Sequence, residues 1–280
     1  MARDEQGPPD TLHIYCIEGV IPEKAEIGLG EAFLGNWVEA DYSFLFFREA
    51  SEERVCRLVG EWNGLRMVDS YCLSYEDWQG DRFERLNVGP FEILPCWNRE
   101  GTEASGSTCI LLDPGVVFGS GLHPTTRDCL KALGWIWGRD DPKGILDLGT
   151  GTGILAIGGV LLGAEQAVAV DLNPLCVRTA EKNARLNGLH ESIRTVHGPA
   201  EKVLEENGEV ITANIPYEVM IRLLESTAFQ RRRWFVLSGL MRSQVRDVKH
   251  RLLKLGIETV REWDQDMVWH TLVARGRAFR

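Results

Sequence analysis

The sequence lacks a long apolar run and an apolar leader. Its longest apolar stretch, residues 154–164, stops at Glu165 and is shorter than the ~18 residues that a membrane-spanning helix needs. The first ten residues are polar and include Pro8 and Pro9, so they do not form the apolar core of a signal peptide. We therefore expect a cytoplasmic protein with no membrane association, whose residues 1–10 are a disordered lead.

Paired cysteine motifs are also absent. None of the seven cysteines belongs to a C-x-x-C pair, so the sequence predicts no zinc site, and we expect no other metal. Five of the cysteines have apolar neighbours, which is typical of buried free thiols in a reducing compartment. These five are Cys16, Cys56, Cys72, Cys109 and Cys129.

Basic residues are the minority among the charged ones. The chain has 31 lysines and arginines against 41 acids, which gives a net charge of −10. A protein that binds nucleic acid usually presents a basic face, and here the basic residues cluster only at residues 231–233. We therefore expect no direct nucleic-acid binding, and a basic protein suits this acidic chain better as a partner.

What the sequence does contain is a glycine-rich turn between an apolar strand and an apolar helix. The turn carries Gly149, Gly151 and Gly153, and a second apolar strand after the helix ends at Asp171. This order is a βαβ unit. Glycines let a ligand approach the backbone closely, the helix start offers free N–H groups, and an acid at the strand tip can accept two ribose hydroxyls. The unit predicts a nucleoside site, although Asp171 could also cap the next helix.

The spacing of the glycines indicates which kind of nucleoside ligand the turn would bind. A dinucleotide fingerprint needs G-x-G-x-x-G, and its third glycine would fall on Ile154. This mismatch argues against a dinucleotide-dependent oxidoreductase. The observed G-x-G-x-G, preceded by Asp147, resembles motif I of class I S-adenosylmethionine methyltransferases, which implies S-adenosylmethionine as the cofactor.

The alternation of apolar segments predicts two domains. Residues 11–75 have the order β-α-β-β-α-β of a small ferredoxin-like α+β domain, with helices over residues 22–34 and 51–62. Residues 76–106 are predicted to be a linker. Residues 107–280 are predicted to form an α/β domain of five parallel strands closed by a hairpin, the seven-stranded Rossmann-like sheet of class I methyltransferases.

A second glycine-rich segment, residues 113–126, precedes the βαβ unit. It ends where Pro124 opens a helix that we expect to reach residue 137, with a threonine at 125 or 126 as its cap. Such a segment could fold over a cofactor as a lid. Together with residues 146–157 it closely resembles the ribosomal protein L11 methyltransferase family, whose pattern is D-P-G-x-A-F-G-T-G-x-H-x-T-T. Here Val117 and Ser120 replace the alanine and the threonine.

The resemblance covers about residues 85–276, fits the small N-terminal domain, and implies a set of site residues. S-adenosylmethionine would lie across the glycine turn with its ribose on Asp171, and Thr126 and Asn214 would complete the site. Residues 118–123, beginning with Phe118 and Gly119, would cover it. From the sequence alone, Thr126 is nearly as well explained as a plain helix cap.

Transfer to an amine requires the nucleophile to lose a proton first. A lysine has a pKa near 10.4 and an α-amine a pKa near 8, and a dry pocket favours the neutral amine. Asn214 could accept a hydrogen bond from the amine, or could simply form a strand-end turn. His123 is a candidate base, and it could equally be a structural hydrogen bonder in a glycine-rich loop.

The resemblance implies a protein methyltransferase that acts on lysine and α-amino groups of ribosomal protein L11, which the N-terminal domain would hold. One departure leaves alternatives open. The family usually has N-I-L where residues 214–217 read Asn-Ile-Pro-Tyr. The Asn-Ile-Pro-Tyr sequence partly resembles the N-P-P-Y motif of enzymes that methylate glutamine amides or nucleic-acid base amino groups. A catalytically silent, cofactor-binding adaptor for a ribosomal protein is a third hypothesis.

Overall fold

A computed structural model describes residues 7–98 and 108–276. Of the predicted disordered lead over residues 1–10, residues 1–6 lie outside this part of the chain. The N-terminal domain runs through six elements: β1 (Thr11–Glu18), α1 (Glu23–Glu26), β2 (Phe33–Glu39), β3 (Tyr42–Phe47), α2 (Glu52–Glu61) and β4 (Arg66–Ser74). Its antiparallel sheet has the order β2-β3-β1-β4, so the ferredoxin-like prediction is confirmed.

The first helix of this domain is much shorter than predicted. The expected helix over residues 22–34 is only α1, followed by a 3-10 turn at Ile27–Leu29. Gly30 then takes a φ of 74°, a conformation that ends a helix, and the chain enters β2. The chain turns between β2 and β3 at residues 40–41, where Ala40 has a φ of 50°.

The predicted linker over residues 76–106 needs correction. After α3 (Tyr75–Gln79) come β5 (Leu86–Val88) and β6 (Phe91–Pro95), and β6 pairs in parallel with β7 (Thr108–Leu112). Phe91 and Ile110 are buried in the same apolar core as Leu130 and Ile157 of the larger domain. Residues 86–95 are therefore a folded part of that core, because their apolar side chains pack with the buried side chains of Leu130 and Ile157. Residues 99–107 lie outside the described residues.

The helices and strands of the larger domain are α4 (Pro124–Trp137), β8 (Gly144–Leu148), α5 (Ile154–Leu161), β9 (Gln166–Asp171), α6 (Pro174–Leu186), β10 (Ile193–His197), β11 (Val210–Asn214), α7 (Tyr217–Leu224), α8 (Thr227–Gln230), β12 (Trp234–Met241), α9 (Arg242–Leu255), β13 (Glu258–Gln265) and β14 (Trp269–Arg275). They are built on a seven-stranded sheet of order β10-β9-β8-β11-β12-β14-β13, in which β14 is antiparallel to both neighbours. The predicted five parallel strands and closing hairpin are confirmed. One face of the sheet packs against α4, α5 and α6 and the other against α7, α8 and α9.

Two expectations from composition can be compared with the fold. All seven cysteines are free, and Cys16 and Cys129 are buried as expected. The prediction was wrong for Cys56 and Cys72, which are exposed, and Cys109 is half-buried, because apolar neighbours along a strand or helix do not fix which face a side chain takes. In the part of the chain that the structure describes, no helix has the length and apolarity to cross a bilayer.

The two domains share an apolar core. It joins side chains of the N-terminal sheet to the second glycine-rich segment and to the start of α6: Leu12, Ile14, Phe46, Val116, Val117, Leu175 and Cys176. At Gly35 the methyl groups of Leu175 fill the place of a side chain, since a Cβ there would lie 2.6 Å from Leu175 Cδ1. Arg178 of α6 also pairs with Glu26 of α1 at 3.3 Å. The N-terminal domain is therefore packed directly on elements that form the predicted cofactor site.

Candidate functional site

The glycine turn lies at the carboxyl ends of β8 and β9. Gly149, Gly151 and Gly153 have φ values of 72°, 55° and 84°, which only glycine adopts at little cost. The N–H groups of Gly149 and Thr150 both donate to the carbonyl of Val170 on β9. The turn thus wraps over the end of the neighbouring strand, and Ile215, Phe118 and Ala180 pack against its glycines.

Asp171 lies at the tip of β9 and holds this turn. Its carboxylate accepts hydrogen bonds from the N–H of Gly151 at 3.0 Å and from the N–H of Asn173 at 2.9 Å. Burial raises the pKa of Asp171, while these N–H donors act to lower it. The N-cap residue of α6 is Asn173, which accepts from the N–H of Leu175, while Asp171 supports the turn before the helix through the Asn173 N–H.

Asp147 supports the turn from below. It is 1% exposed and accepts hydrogen bonds of 2.6 Å from the hydroxyls of Thr150 and Thr212. Burial raises its pKa to about 6, because the loss of water disfavours the charged carboxylate. Within residues 7–98 and 108–276, no three His, Cys, Asp or Glu side chains are grouped so that they could hold a metal ion.

The second glycine-rich segment lies across the turn. The N–H of Thr152 donates to the carbonyl of Phe118 at 3.1 Å, and the Thr152 hydroxyl donates to the carbonyl of Gly119 at 2.7 Å. A Cβ on Gly151 would lie 2.4 Å from the Phe118 oxygen. The structure therefore brings Phe118 and Gly119 together with the glycine turn, and the Phe118 side chain is 48% exposed beside it.

The helix α3, which follows the N-terminal domain, anchors this segment through two residues that the sequence did not single out. The Tyr75 hydroxyl donates to the carbonyl of Gly115 at 2.6 Å, and the Trp78 indole N–H donates to the carbonyl of Val116 at 3.1 Å. These contacts join α3 to residues some forty positions later. Their only signal in the sequence is an aromatic pair at helical spacing, which is also typical of an ordinary core.

Thr126 is buried in the first turn of α4 without a hydrogen-bond partner. The cap of α4 is His123, whose Nδ1 accepts from the N–H of Thr125, so the interpretation of Thr126 as a plain cap is wrong. Thr126 is 1% exposed, and its hydroxyl bonds to no other group in the described part of the chain. Burying an unpaired hydroxyl costs about 1–3 kcal/mol. A group that supplies its partner would remove this cost.

His123, Thr125 and Asn214 form a chain of contacts. The His123 Nδ1 is 2.7 Å from the Thr125 hydroxyl, and the Asn214 Nδ2 is 3.2 Å from the same oxygen. The His123 ring packs between Phe118 and Trp269, with centroids 5.3 and 5.4 Å away. Burial lowers the pKa of His123. The two predicted catalytic residues are thus connected through Thr125, which the sequence offered only as a helix cap.

A groove of about 1010 Å³ lies between the N-terminal sheet and the second glycine-rich segment. Phe118, His123 and Arg127 line one wall, and Glu39 and Asp81 contribute carboxylates. Aromatic side chains line the other wall: Trp37, Phe44, Phe46, Tyr71 and Trp78. Arg127 donates to the carbonyl of Gly121 at 2.8 Å. Of the two predicted catalytic residues, His123 lines this groove.

Tyr217, the first residue of α7, is hydrogen-bonded to α9. Its hydroxyl donates to Asp247 of α9 at 2.7 Å, and Arg251 donates to the same carboxylate oxygen at 2.6 Å. The hydrogen bond to Asp247 raises the pKa of Tyr217. In this arrangement the Tyr217 hydroxyl is directed at α9.

Three comparisons place the chain among known proteins. A profile of the family described as "Ribosomal protein L11 methyltransferase (PrmA)" matches residues 64–277. The chain is 36% identical to the ribosomal protein L11 methyltransferase of Brevibacillus brevis over 187 residues, which cover 66% of this chain and 59% of that protein. With the protein of the same name from Clostridium botulinum (strain Eklund 17B / Type B) it is 36% identical over 281 residues, covering 98% and 87%.

Among solved structures, the fold is similar to a crystal structure of ribosomal protein L11 methylase from Lactobacillus delbrueckii subsp. bulgaricus. The TM-score is 0.61 at 25% identity, and the match covers 70% of this chain and 100% of that one. The chain spans less than two thirds of the length of the first curated relatives that it matches, at 59%, 59% and 57%.

Proposed function

The chain belongs to the ribosomal protein L11 methyltransferase family, and from this premise we propose that it transfers methyl groups from S-adenosylmethionine to amino groups of ribosomal protein L11. Acting on a ribosomal protein would place it in the cytoplasm. The observation that carries the proposal is the glycine turn bonded to the Asp171 carboxylate, and the unpaired buried hydroxyl of Thr126 supports it.

The glycine turn, Asp171 and Thr126 form the proposed cofactor seat, and these residues fit the cofactor. Asp171 would accept the ribose hydroxyls, the glycine turn would allow close approach of the backbone, and Thr126 would gain the partner that it lacks. Phe118 and Gly119, which are tied to the turn through Thr152, would cover the bound molecule. When bound, S-adenosylmethionine supplies an electrophilic methyl carbon on a sulfonium.

The protein's own contribution is to position and desolvate the amine. The Asn214 side chain would accept a hydrogen bond from the amine N–H and direct its lone pair, which is a positioning effect. A lysine amine has a pKa near 10.4, and exclusion of water by the covering segment would favour its neutral form. His123, whose pKa is lowered by burial, is too weak a base to hold that proton at neutral pH.

The groove between the domains is the route that we propose for the substrate segment. Its aromatic wall offers apolar contact to the methylene stem of a lysine, and Glu39 and Asp81 lie on its lining. Basic side chains of L11 would pair with these acids, in line with the net charge of −10.

Methylation of a glutamine amide or a base amino group is the second candidate function. It is favoured by the Asn-Ile-Pro-Tyr sequence at residues 214–217. The bond from the Tyr217 hydroxyl to Asp247 weighs against it, because the aromatic side chain that should stack on the planar target has its hydroxyl directed at α9. A cofactor-binding adaptor shares every contact of the seat and is separated from an enzyme by activity alone.

One set of measurements tests the proposal. S-adenosylhomocysteine should raise the melting temperature and NAD should not; stabilisation by NAD alone would remove the proposed cofactor. Purified L11 with labelled S-adenosylmethionine should gain label, and no labelling despite tight S-adenosylhomocysteine binding would indicate the adaptor. Mass mapping of the product should place the methyl groups on amines, and methylated glutamine would establish the second candidate instead.

A further inference from the structure

We infer that Thr125 is a positioning residue: its hydroxyl connects His123 to Asn214 and fixes the Asn214 amide with the carbonyl oxygen directed away from α4. The role of Thr125 in catalysis rests on the proposed function, while the orientation of the Asn214 amide follows from hydrogen-bond chemistry alone. The chain runs from His123 Nδ1 to the Thr125 hydroxyl at 2.7 Å and from that oxygen to the Asn214 Nδ2 at 3.2 Å.

The proton on His123 is placed by the Thr125 backbone. The N–H of Thr125 donates to Nδ1 at 3.3 Å, and a backbone N–H can only donate. Nδ1 therefore carries no proton, and the neutral ring has its proton on Nε2. This tautomer leaves the ring as a hydrogen-bond donor at Nε2, on a side chain that lines the groove.

The Thr125 hydroxyl passes this constraint to Asn214. With Nδ1 as acceptor, its single lone pair is shared by the hydroxyl at 2.7 Å, the closer donor, and the backbone N–H at 3.3 Å, and the hydroxyl oxygen has only lone pairs left for its other neighbour. The Asn214 atom that faces it must then be the amide nitrogen. A flipped amide would set two acceptors against each other at a site where Thr125 is only 2% exposed.

The amide oxygen of Asn214 is consequently held on the opposite side of its plane. It lies beside Gly239 of β12, where a Cβ would come within 3.1 Å of Oδ1. With no side chain at this position, the oxygen keeps a lone pair for the amine N–H. Thr125 touches neither substrate nor cofactor in this scheme and acts only through Asn214.

The inference assigns His123 a role other than general base. Its Nδ1 lone pair is already used by Thr125, and its Nε2 carries a proton. The hydrogen bonds from His123 through Thr125 to Asn214 form a relay. In this relay His123 would fix the orientation of the Thr125 hydroxyl and donate from Nε2 toward the groove.

The test uses Thr125→Val, which keeps the shape and removes the hydroxyl, with Thr125→Ser as the conservative control. Thr125→Val should lower kcat for L11 methylation about tenfold, the size of one neutral hydrogen bond lost in the transition state. KM and S-adenosylhomocysteine affinity should stay within about twofold, and Thr125→Ser should restore most of kcat. Full activity of Thr125→Val, or a loss that Thr125→Ser shares, would overturn the inference.

Imidazole nitrogen NMR of the full chain gives a readout that does not depend on activity. His123 should show the Nε2-protonated tautomer, with His123→Asn providing the assignment among the six histidines, and Thr125→Val should disturb that signal. A ring protonated on Nδ1 would refute the relay even if L11 is methylated. Absence of L11 methylation by the wild type would instead refute the proposed function and leave the tautomer measurement decisive for the relay.

The kinetics of His123→Asn provide the last arm. Asparagine can cap α4 as histidine does, so kcat should fall by about tenfold or less. A general base contributes about 100-fold or more, and a loss of that size with Thr125→Val fully active would return His123 to the role of base.

Discussion

The backbone N–H of Thr152 donates a 3.1 Å hydrogen bond to the carbonyl oxygen of Phe118. This bond joins two glycine-rich segments that lie some thirty residues apart in the chain. The same oxygen would lie 2.4 Å from a Cβ on Gly151. The proposed cofactor seat therefore depends on a close backbone approach that only glycine permits.

Gly151→Ala should disrupt the seat. The new methyl group would displace the Phe118 carbonyl and strain a φ of 55°, so we expect S-adenosylhomocysteine affinity to fall at least about tenfold, as for loss of ~1.4 kcal/mol. Calorimetric titration measures it. Gly60→Ala in α2, where a Cβ meets nothing within 4 Å, is the control and should bind normally. Equal affinities would contradict the described contact.

Thr126→Val should have opposite effects on stability and on binding. Without ligand, valine removes an unpaired buried hydroxyl, so the free energy of unfolding should rise by about 1 kcal/mol. S-adenosylhomocysteine affinity should fall, because its partner is gone. Thr179→Val is the matched control: that hydroxyl donates to the carbonyl of Leu175, so the substitution should not stabilise the protein. Stabilisation of Thr126→Val with unchanged affinity would remove Thr126 from the site.

Asp171→Ala should weaken cofactor binding by roughly 10- to 100-fold, the cost of a charge-assisted hydrogen bond. The change also frees the N–H groups of Gly151 and Asn173. Titration with S-adenosylhomocysteine measures the affinity. Asp141→Ala, which removes a largely exposed acid, controls for the lost charge. A variant at Asp171 that binds like this control would contradict the ribose role.

Asp147 should give the folded protein a specific pH dependence. Its pKa is raised from 3.8 to about 6 in the fold, so between those values the folded state binds more protons than the unfolded state. Stability should therefore fall as the pH rises through this window, by about 3 kcal/mol from this group. Urea unfolding at pH 4 to 7 should show that the difference between Asp147→Asn and the wild type shifts in favour of the variant with rising pH. Parallel curves would refute the assignment.

Gly35→Val should separate substrate handling from cofactor binding. A Cβ at Gly35 would lie 2.6 Å from Leu175 Cδ1, so the N-terminal domain should shift on its support. We expect kcat/KM for L11 to fall about tenfold or more, while S-adenosylhomocysteine affinity changes less than about threefold. Gly28→Ala, in open space, serves as the control. Normal L11 kinetics would show that domain docking does not position the substrate.

The parts of the fold that were predictable carry strong local signals. The helix α4 begins at Pro124 and ends at Trp137 as expected, because proline at a helix start and a sustained apolar period are both encoded within one segment. The βαβ unit and the placement of Asp171 follow in the same way from the glycine turn. The 3-10 turn after α1 was missed because it is set by Gly30, a single residue within an otherwise helical pattern.

The unpredicted features depend on contacts between distant parts of the chain. The pairing of β6 with β7, the anchoring of the second glycine-rich segment by Tyr75 and Trp78, and the burial of Thr126 each involve partners that sequence spacing does not reveal. The link from Thr125 to Asn214 spans 89 residues. The sequence identified His123 and Asn214, the two ends of this chain of contacts, as candidates and offered Thr125 between them only as a helix cap.

The shared core of the two domains bears on how this protein can be divided. A fragment that began at residue 76 would keep the whole seven-stranded sheet but lose the strands that cover Val116, Val117 and Leu175. Those apolar side chains would then form one solvent-exposed apolar patch that favours aggregation, close to Asp171 at the end of β9. Residue 75 is therefore a boundary of the topology only, and a fragment that contains the larger domain alone would first need polar side chains on that face.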